Sequence, residues 1–329
     1  AVTVGGNLAA TTDANNGVID LGTLAVDGTV ALTTNGSGSA TVVNDAGLIF
    51  AASTVGGALS AKASNGDITD TGVLTITGTS TFITGTSRSN IILDSSRNTF
   101  SNAVTLQADA GNETFENITF VDSGGVRLHT SASADGDLYI NASTDGVLDG
   151  NLNVTATTGN IRQSRSVAVG GTSSFTTSAN NAYITLDNTT NALTGAVSLN
   201  TTGSAGGTSG DARLDNGTTA LILATSSVGG DLTVRSGNTS GITDSGTVTV
   251  GRALFATTDA NNGVINLDQL AVDMGINLNT HGNGNATAVN DAGFLFGGSG
   301  STVGGNLSAT ATTGNITDND SGSVTVAGT

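Results

Sequence analysis

Residues 150–171 read Gly150-Asn-Leu-Asn-Val-Thr-Ala-Thr-Thr-Gly-Asn-Ile161, then Arg162-Gln-Ser-Arg-Ser-Val-Ala-Val-Gly-Gly171. Three short runs stand out: Leu152-x-Val154-x-Ala156, a brief run around Ile161, and Val167-x-Val169. Apolar residues alternate with polar ones in each run, and β-branched residues are frequent. That is the period of a strand, and the Gly, Asn and Thr clusters between the runs are turn formers. Adding 93 to Gly57-Ala-Leu59-Ser-Ala61, Ile68 and Leu74-Thr-Ile76 lands on the matching residues of this stretch. Further copies run from Gly230-Asp-Leu232 through Ile242 to Val248-Thr-Val250, and from Gly305-Asn-Leu307 through Ile316 to Val324-Thr-Val326.

Large apolar residues recur along the chain at Leu8, Leu32, Leu59, Phe82, Leu106, Leu128, Leu152, Phe175, Leu199, Leu232, Phe255, Leu278 and Leu307. These thirteen positions span 299 residues, roughly 25 per step, within the range of solenoid repeats. A single winding buries too few apolar side chains to offset the entropy of ordering it, so windings must stack and share an interior. The reading is therefore all-β: a right-handed parallel β-helix, or β-solenoid. It has about 13 coils of roughly 22–29 residues, almost no helix, and one continuous solenoid over residues 1–329. With strands about 4.8 Å apart, such a stack would be roughly 60 Å long. Equivalent Asn, Thr and Phe side chains are expected to pile into ladders.

Composition agrees. There are 48 Gly for tight corners and no Pro, which would delete a ladder hydrogen bond in a strand paired on both sides. Corners such as Asn15-Asn16-Gly17 supply residues that tolerate positive φ. Aromatic content is 3%, too few large rings for an ordinary globular core. There is no Cys, so neither disulfides nor thiolate metal sites can form. A longer copy lies over the short one: Thr11-Thr-Asp-Ala-Asn-Asn-Gly-Val-Ile19 reappears unchanged at 257–265, and Val43-Asn-Asp-Ala-Gly47 at 289–293. The steps from Leu199 to Leu232 and from Leu278 to Leu307 are long, and their Gly203–Gly210 and Gly297–Gly300 segments read as loops at a corner.

The formal net charge is −17. Nucleic acid and anionic membranes are not expected as partners, because both need clustered Lys and Arg. No apolar run is long enough to span a bilayer, and no signal-peptide pattern opens at Ala1. A β-helix enzyme acting on polysaccharides would need clustered carboxylates with a base. Here Lys62, Arg88, Arg97, Arg127, Arg162, Arg165, Arg213, Arg235 and Arg252 are scattered, and His129 and His281 are far apart. His281 replaces Asn35 in the copied block, which makes it a turn residue. No catalytic or cofactor residues are assigned. Calcium is the metal these turns suit, with Asp13, Asp20, Asp259 and Asp268 as candidate ligands and Asp45 and Asp291 beside them. Asp27 and Asp273 read as corner residues. Thr-x-Thr pairs such as Thr75-x-Thr77 are present, but they do not recur on one face of every coil as an ice-binding array requires. Asn-x-Thr sequons occur at Asn117 and Asn153.

The chain opens on Val2-Thr-Val4-Gly-Gly and closes on Val324-Thr-Val326-Ala-Gly, the same strand of the coil. No cap is visible at either place, and exposed sheet edges invite further pairing. The segment reads as an excerpt of, or repeating unit in, a longer rod, or as a protomer that stacks on itself end to end.

Gly-Gly-x-Leu at 304–307, Gly-x-Ile at 314–316 and Val-x-Val-x-Gly-Thr at 324–329 resemble the repeats of filamentous-haemagglutinin-like and giant bacterial β-strand-repeat surface proteins. The resemblance covers nearly all of the chain and rests on periodicity. It implies a secreted, extracellular structural protein of the cell surface that adheres or forms filaments, with cell-surface or matrix glycans as possible partners.

Overall fold

The computed structural model describes residues 1–86, 89–108, 117–124, 126–129, 137–140, 148–163, 165–203, 210–318 and 322–329; for Val126–His129 and Asp137–Ile140 it describes the backbone alone. Among the described residues there is no helix, and the strands pair in parallel as the stacked windings of a β-solenoid of about 13 turns. Contacts group the chain into two units: residues 1–160 with 169–171, and residues 161–168 with 172–329.

In the first unit one side of the stack runs through Val2–Val4, Ile19–Val26, Ala40–Asn44, Leu59–Ala63, Ser80–Thr84 and Val104–Gln107. The other side begins with Leu8–Asn15 and Thr29–Asn35. It then carries two short strands per winding: Leu48–Phe50 with Ser53–Val55, Ile68–Asp70 with Leu74–Ile76, and Ile91–Leu93 with Thr99–Phe100. Successive windings step by about 20 to 24 residues in these strands, as in Val2 opposite Leu24, Leu24 opposite Asn44, and Phe82 opposite Leu106. Alternate side chains point inward, and Leu32, Leu48, Phe50, Ile68, Leu74, Phe82 and Leu106 are fully buried. Burial of this kind, repeated in every winding, supplies the main stabilising term. The rings of Phe50, Phe82, Phe100 and Phe120 follow one another at 6.0, 6.1 and 5.1 Å between centroids. The first two contacts are edge-on, a favoured aromatic geometry.

The recurrent apolar line is not one column. Leu8 and Leu32 lie on one side of the first unit, whereas Leu59, Phe82 and Leu106 lie on the other. A spacing near 25 is longer than most windings, so the line drifts around the coil. Leu59 stands opposite Ser80, two residues from Phe82 on the same inward face.

In the second unit one side contains Ile184–Leu186, Ala212–Asp215, Leu232–Ser236, Leu254–Asn261 and Gly275–His281. Above them lie Phe294–Phe296 with Ser301–Val303, then Ile316–Asp318 with Val324–Val326. The other side contains Ser173–Asn180, Val197–Thr202, Leu221–Leu223 with Ser226–Val228, Ile242–Asp244 with Val248–Val250, Ile265–Val272, Ala286–Asn290 and Leu307–Ala311.

Wherever one long strand is followed by two short ones, the ladder breaks, and a buried serine fills the gap. Ser53 Oγ accepts from Leu32 N–H at 3.0 Å, Ser226 Oγ from Leu199 at 3.1 Å, and Ser301 Oγ from Leu278 at 3.1 Å. Buried asparagines do the same at other breaks. Asn98 Oδ1 accepts from Leu74 N–H, and Asn216 Oδ1 from Leu193 N–H, both at 2.8 Å. A buried backbone amide must find a partner, and a short polar side chain is the one available.

Candidate functional site

Three corners share one sequence pattern. Thr11-Thr-Asp-Ala-Asn-Asn16, Thr176-Thr-Ser-Ala-Asn-Asn181 and Thr257-Thr-Asp-Ala-Asn-Asn262 each end on an asparagine with positive φ, at 60°, 62° and 64°. These are the non-glycine residues with positive φ among the described residues. Asparagine tolerates that region better than other side chains. In each corner the second threonine hydroxyl donates to a carbonyl five residues on: Thr12 to Gly17, Thr177 to Ala182 and Thr258 to Gly263, at 3.1, 3.2 and 3.0 Å. Asn16 Oδ1 accepts from Ser37 N–H at 2.8 Å, and Asn262 Oδ1 from Asn283 N–H at 2.7 Å, which ties each corner to the next winding. Other corners stack their asparagines. Asn90 Oδ1 accepts from Asn117 Nδ2 at 2.9 Å, and Asn117 Oδ1 from Asn151 N–H at 3.0 Å. The Asn117 sequon is thus part of a structural ladder.

The outward faces carry ranks of small polar side chains. In the first unit Thr11, Thr33, Thr54, Thr75 and Thr99 are consecutive partners across five windings. Asp20, Thr41, Ser60, Thr81 and Thr105 form a second rank. In the second unit Thr176, Asn200, Ser227 and Thr249 form another. Neighbours in a rank are one strand separation apart, about 4.8 Å. Such a rank offers a row of hydroxyl donors and acceptors to a partner. Searching for Thr-x-Thr pairs misses it, because the repeat runs between windings. Its trace in the sequence is Thr at steps of 22, 21, 21 and 24 residues.

The acidic candidates occupy separate places. Asp13 is exposed, and its carbonyl accepts from Asn35 Nδ2 at 3.0 Å. Asp20 is exposed opposite Thr41, on the other side of the first unit. Asp259 lies 3.5 Å from Arg235, an exposed pair of little energetic weight. The Asp268 and Gln269 amides donate to Asp244 at 3.2 and 2.9 Å. Burial raises the Asp244 carboxyl above its ordinary value, against those two amides. Asp45 and Asp291 are corner residues whose amides bond the winding below, at Leu24 and Leu270. Asp27 and Asp273 do likewise, at Val4 and Val250. Among the described residues no three His, Asp or Glu side chains are grouped to hold a metal ion.

The basic residues are also dispersed. Arg252 pairs with Asp231 at 3.4 Å, and Arg162 lies over the Tyr183 ring at 5.0 Å. His281 takes the expected corner position, with Nδ1 3.1 Å from the Thr258 carbonyl. Arg88 and the side chains of Arg127 and His129 lie outside the described residues. So do residues 204–209 of the Gly203–Gly210 loop. Gly297–Gly300 forms a turn closed by the Gly300 amide on the Gly297 carbonyl at 3.1 Å. It lies so close to Asn277 that a Cβ on Gly297 would fall 2.5 Å from that side-chain amide.

No helix among the described residues is long and apolar enough to cross a membrane.

A family model described as "Repeats of unknown function (DUF5649)" matches residues 37–107, 116–200 and 283–329, more than half of the chain. No curated protein and no solved structure matches it.

Proposed function

We propose that this chain, which belongs to the family of repeats of unknown function (DUF5649), is a structural segment of a bacterial cell-surface or secreted filament. The observation that carries the reading is the stack itself: an interior strand is paired on both sides by its neighbours, as Thr33 is by Thr11 and Thr54 and Thr75 is by Thr54 and Thr99. A fold that completes one winding with the next is suited to extension. The Thr ranks supply an adhesive role, with cell-surface or matrix glycans as the class of partner, because hydroxyl-rich polymers match rows of hydroxyl donors and acceptors.

The test is labelling of intact cells of the source organism with antibody to the purified chain, before and after permeabilisation. Label on intact cells is expected. Label seen solely after permeabilisation would rule the surface role out.

A further inference from the structure

Three of the arginines, spread along the sequence and spaced a winding or more apart, share one sheet face of the second unit. Ile161–Gln163, Ile184–Leu186, Ala212–Asp215, Leu232–Ser236 and Leu254–Asn261 lie side by side there. Ile161, Ile184, Ala212, Leu232 and Leu254 are fully buried, so the residue after each faces outward. Those residues are Arg162, Thr185, Arg213, Thr233 and Phe255, consecutive partners in a single rank. Arg235 stands on the same face, beyond Thr233 on its strand.

Most carboxylates around this rank are engaged. Asp259 lies 3.5 Å from Arg235, and Asp231 3.4 Å from Arg252. Asp211 Oδ1 accepts from the Asp231 amide, and Asp215 Oδ1 from the Gly217 amide, both at 2.9 Å. Burial raises the Asp215 carboxyl above its ordinary value, against that bond. Asp187 is exposed just past Leu186 and is the opposing charge of the face. Arg213 is exposed and has no ion pair among the described residues. Arg162 is exposed too, its guanidinium 5.0 Å from the centre of the Tyr183 ring, a contact that orients it without neutralising it.

Rank neighbours are one strand separation apart, so Arg162 and Arg213 stand about 9.6 Å apart with Thr185 between them. We propose that this rank binds a linear acidic polysaccharide built of uronic acid sugars, laid across the windings, with one carboxylate on Arg162 and the next on Arg213. An extended chain whose successive sugars face opposite ways turns a carboxylate to the same side at every second sugar. With about one sugar per winding, that repeat matches an arginine at every second winding. Each guanidinium takes its carboxylate through two parallel hydrogen bonds. Thr185 and Thr233 offer hydroxyls to the sugars between, and the Tyr183 and Phe255 rings offer apolar surface to sugar faces. Two cations are too few for a nucleic-acid duplex or an anionic membrane, where affinity grows with many contacts, so spacing selects the partner. The rank Asp20, Thr41, Ser60, Thr81 and Thr105 of the first unit has no cation and lacks the site. The inference rests on the glycan adhesion proposed above and narrows it to one chemical class. It is tested on the purified chain, so its failure is distinct from a failure of the cell labelling.

The full chain is titrated calorimetrically with polymannuronate oligomers at low salt in the presence of a chelator, with neutral mannan oligomers and dextran sulfate as comparison probes. Polymannuronate should bind, more weakly as salt rises, and neutral mannan should not. Arg213→Ala should weaken binding about tenfold or more. Arg213→Lys should fall between, because it keeps the charge and loses the paired geometry. Asp187→Asn should tighten binding by removing a like charge. Both side chains are exposed, so the melting temperatures of these variants should match that of the parent. Absence of polymannuronate binding would overturn the proposal, as would undiminished binding by Arg213→Ala. Tighter binding of dextran sulfate than of polymannuronate would overturn it too, by showing attraction to any polyanion.

Discussion

The side chain of Asn44 bonds both main-chain groups of Val26, as another peptide unit would: Oδ1 accepts from the Val26 amide at 2.9 Å, and Nδ2 donates to the Val26 carbonyl at 3.1 Å. Asn290 does the same to Val272, at 2.8 and 3.0 Å. Both asparagines are buried. Asn44→Ala leaves two buried main-chain groups unpaired and is expected to cost about 2–4 kcal/mol. Urea unfolding should show a lowered midpoint, with a similar effect for Asn290→Ala. Unchanged midpoints would mean that these side chains are not part of the ladder.

Asp122 plays a related part with a charged group. Its Oδ1 accepts from the Phe100 amide at 3.1 Å. Burial raises its pKa above the ordinary 3.8, and the amides of Phe100, Gly124 and Ser123 oppose the shift. Its folded pKa lies above its unfolded one, so its contribution to stability is present at low pH and lost as pH rises through the folded value. Asparagine keeps the acceptor without the charge. Asp122→Asn should therefore be better tolerated at pH 7 than at low pH, flattening the loss of stability as pH rises through the folded value. A substitution cost that grows with pH would show that the carboxylate is favoured in the folded state.

Ser80 Oγ and Ser173 Oγ are buried without a hydrogen-bond partner, at positions 93 residues apart in the repeat. An unpaired buried hydroxyl is a cost. Ser80→Ala and Ser173→Ala should each raise stability, by about 1 kcal/mol, in thermal unfolding. A drop of that size would point to a partner for the hydroxyl.

The positive φ of Asn262 sets a different order of substitutions. Asn262→Ala forces a Cβ into the left-handed region and loses the bond to the Asn283 amide, at about 1–2 kcal/mol for the backbone alone. Asn262→Gly loses the bond but relieves the strain, so it should be the milder change. The reverse order in chemical denaturation would contradict the corner geometry.

Much of the fold is legible in the sequence. Period-two runs such as Leu152-x-Val154-x-Ala156 and the recurrence of Ile68, Ile161 and Ile242 after each Gly-x-Leu predict stacked parallel strands. The winding length is less legible, because Leu8, Leu32 and Leu59 repeat by chemistry while the coil repeats by backbone pairing, and the two periods differ. The roles of Asn44 and Ser53 are hidden for a related reason. Each is a polar residue on an inward face, and what it bonds is set by whether the neighbouring winding carries one strand or two. The Thr ranks become visible once register is known. The acidic candidates rest on their turn positions, which do not fix how Asp13, Asp20, Asp259 and Asp268 are placed relative to one another.

The central claim is that successive windings lie in register, and the cysteine-free chain allows a direct test. Thr54 and Thr75 are outward-facing partners on adjacent windings, whereas Thr69 sits on a different short strand of the same winding as Thr75. A disulfide needs Cα atoms within about 7 Å of each other. With Thr54→Cys and Thr75→Cys together, mild oxidation should close the bond in the folded monomer, and with Thr54→Cys and Thr69→Cys it should not. Closure of the second pair and not the first would contradict the stack.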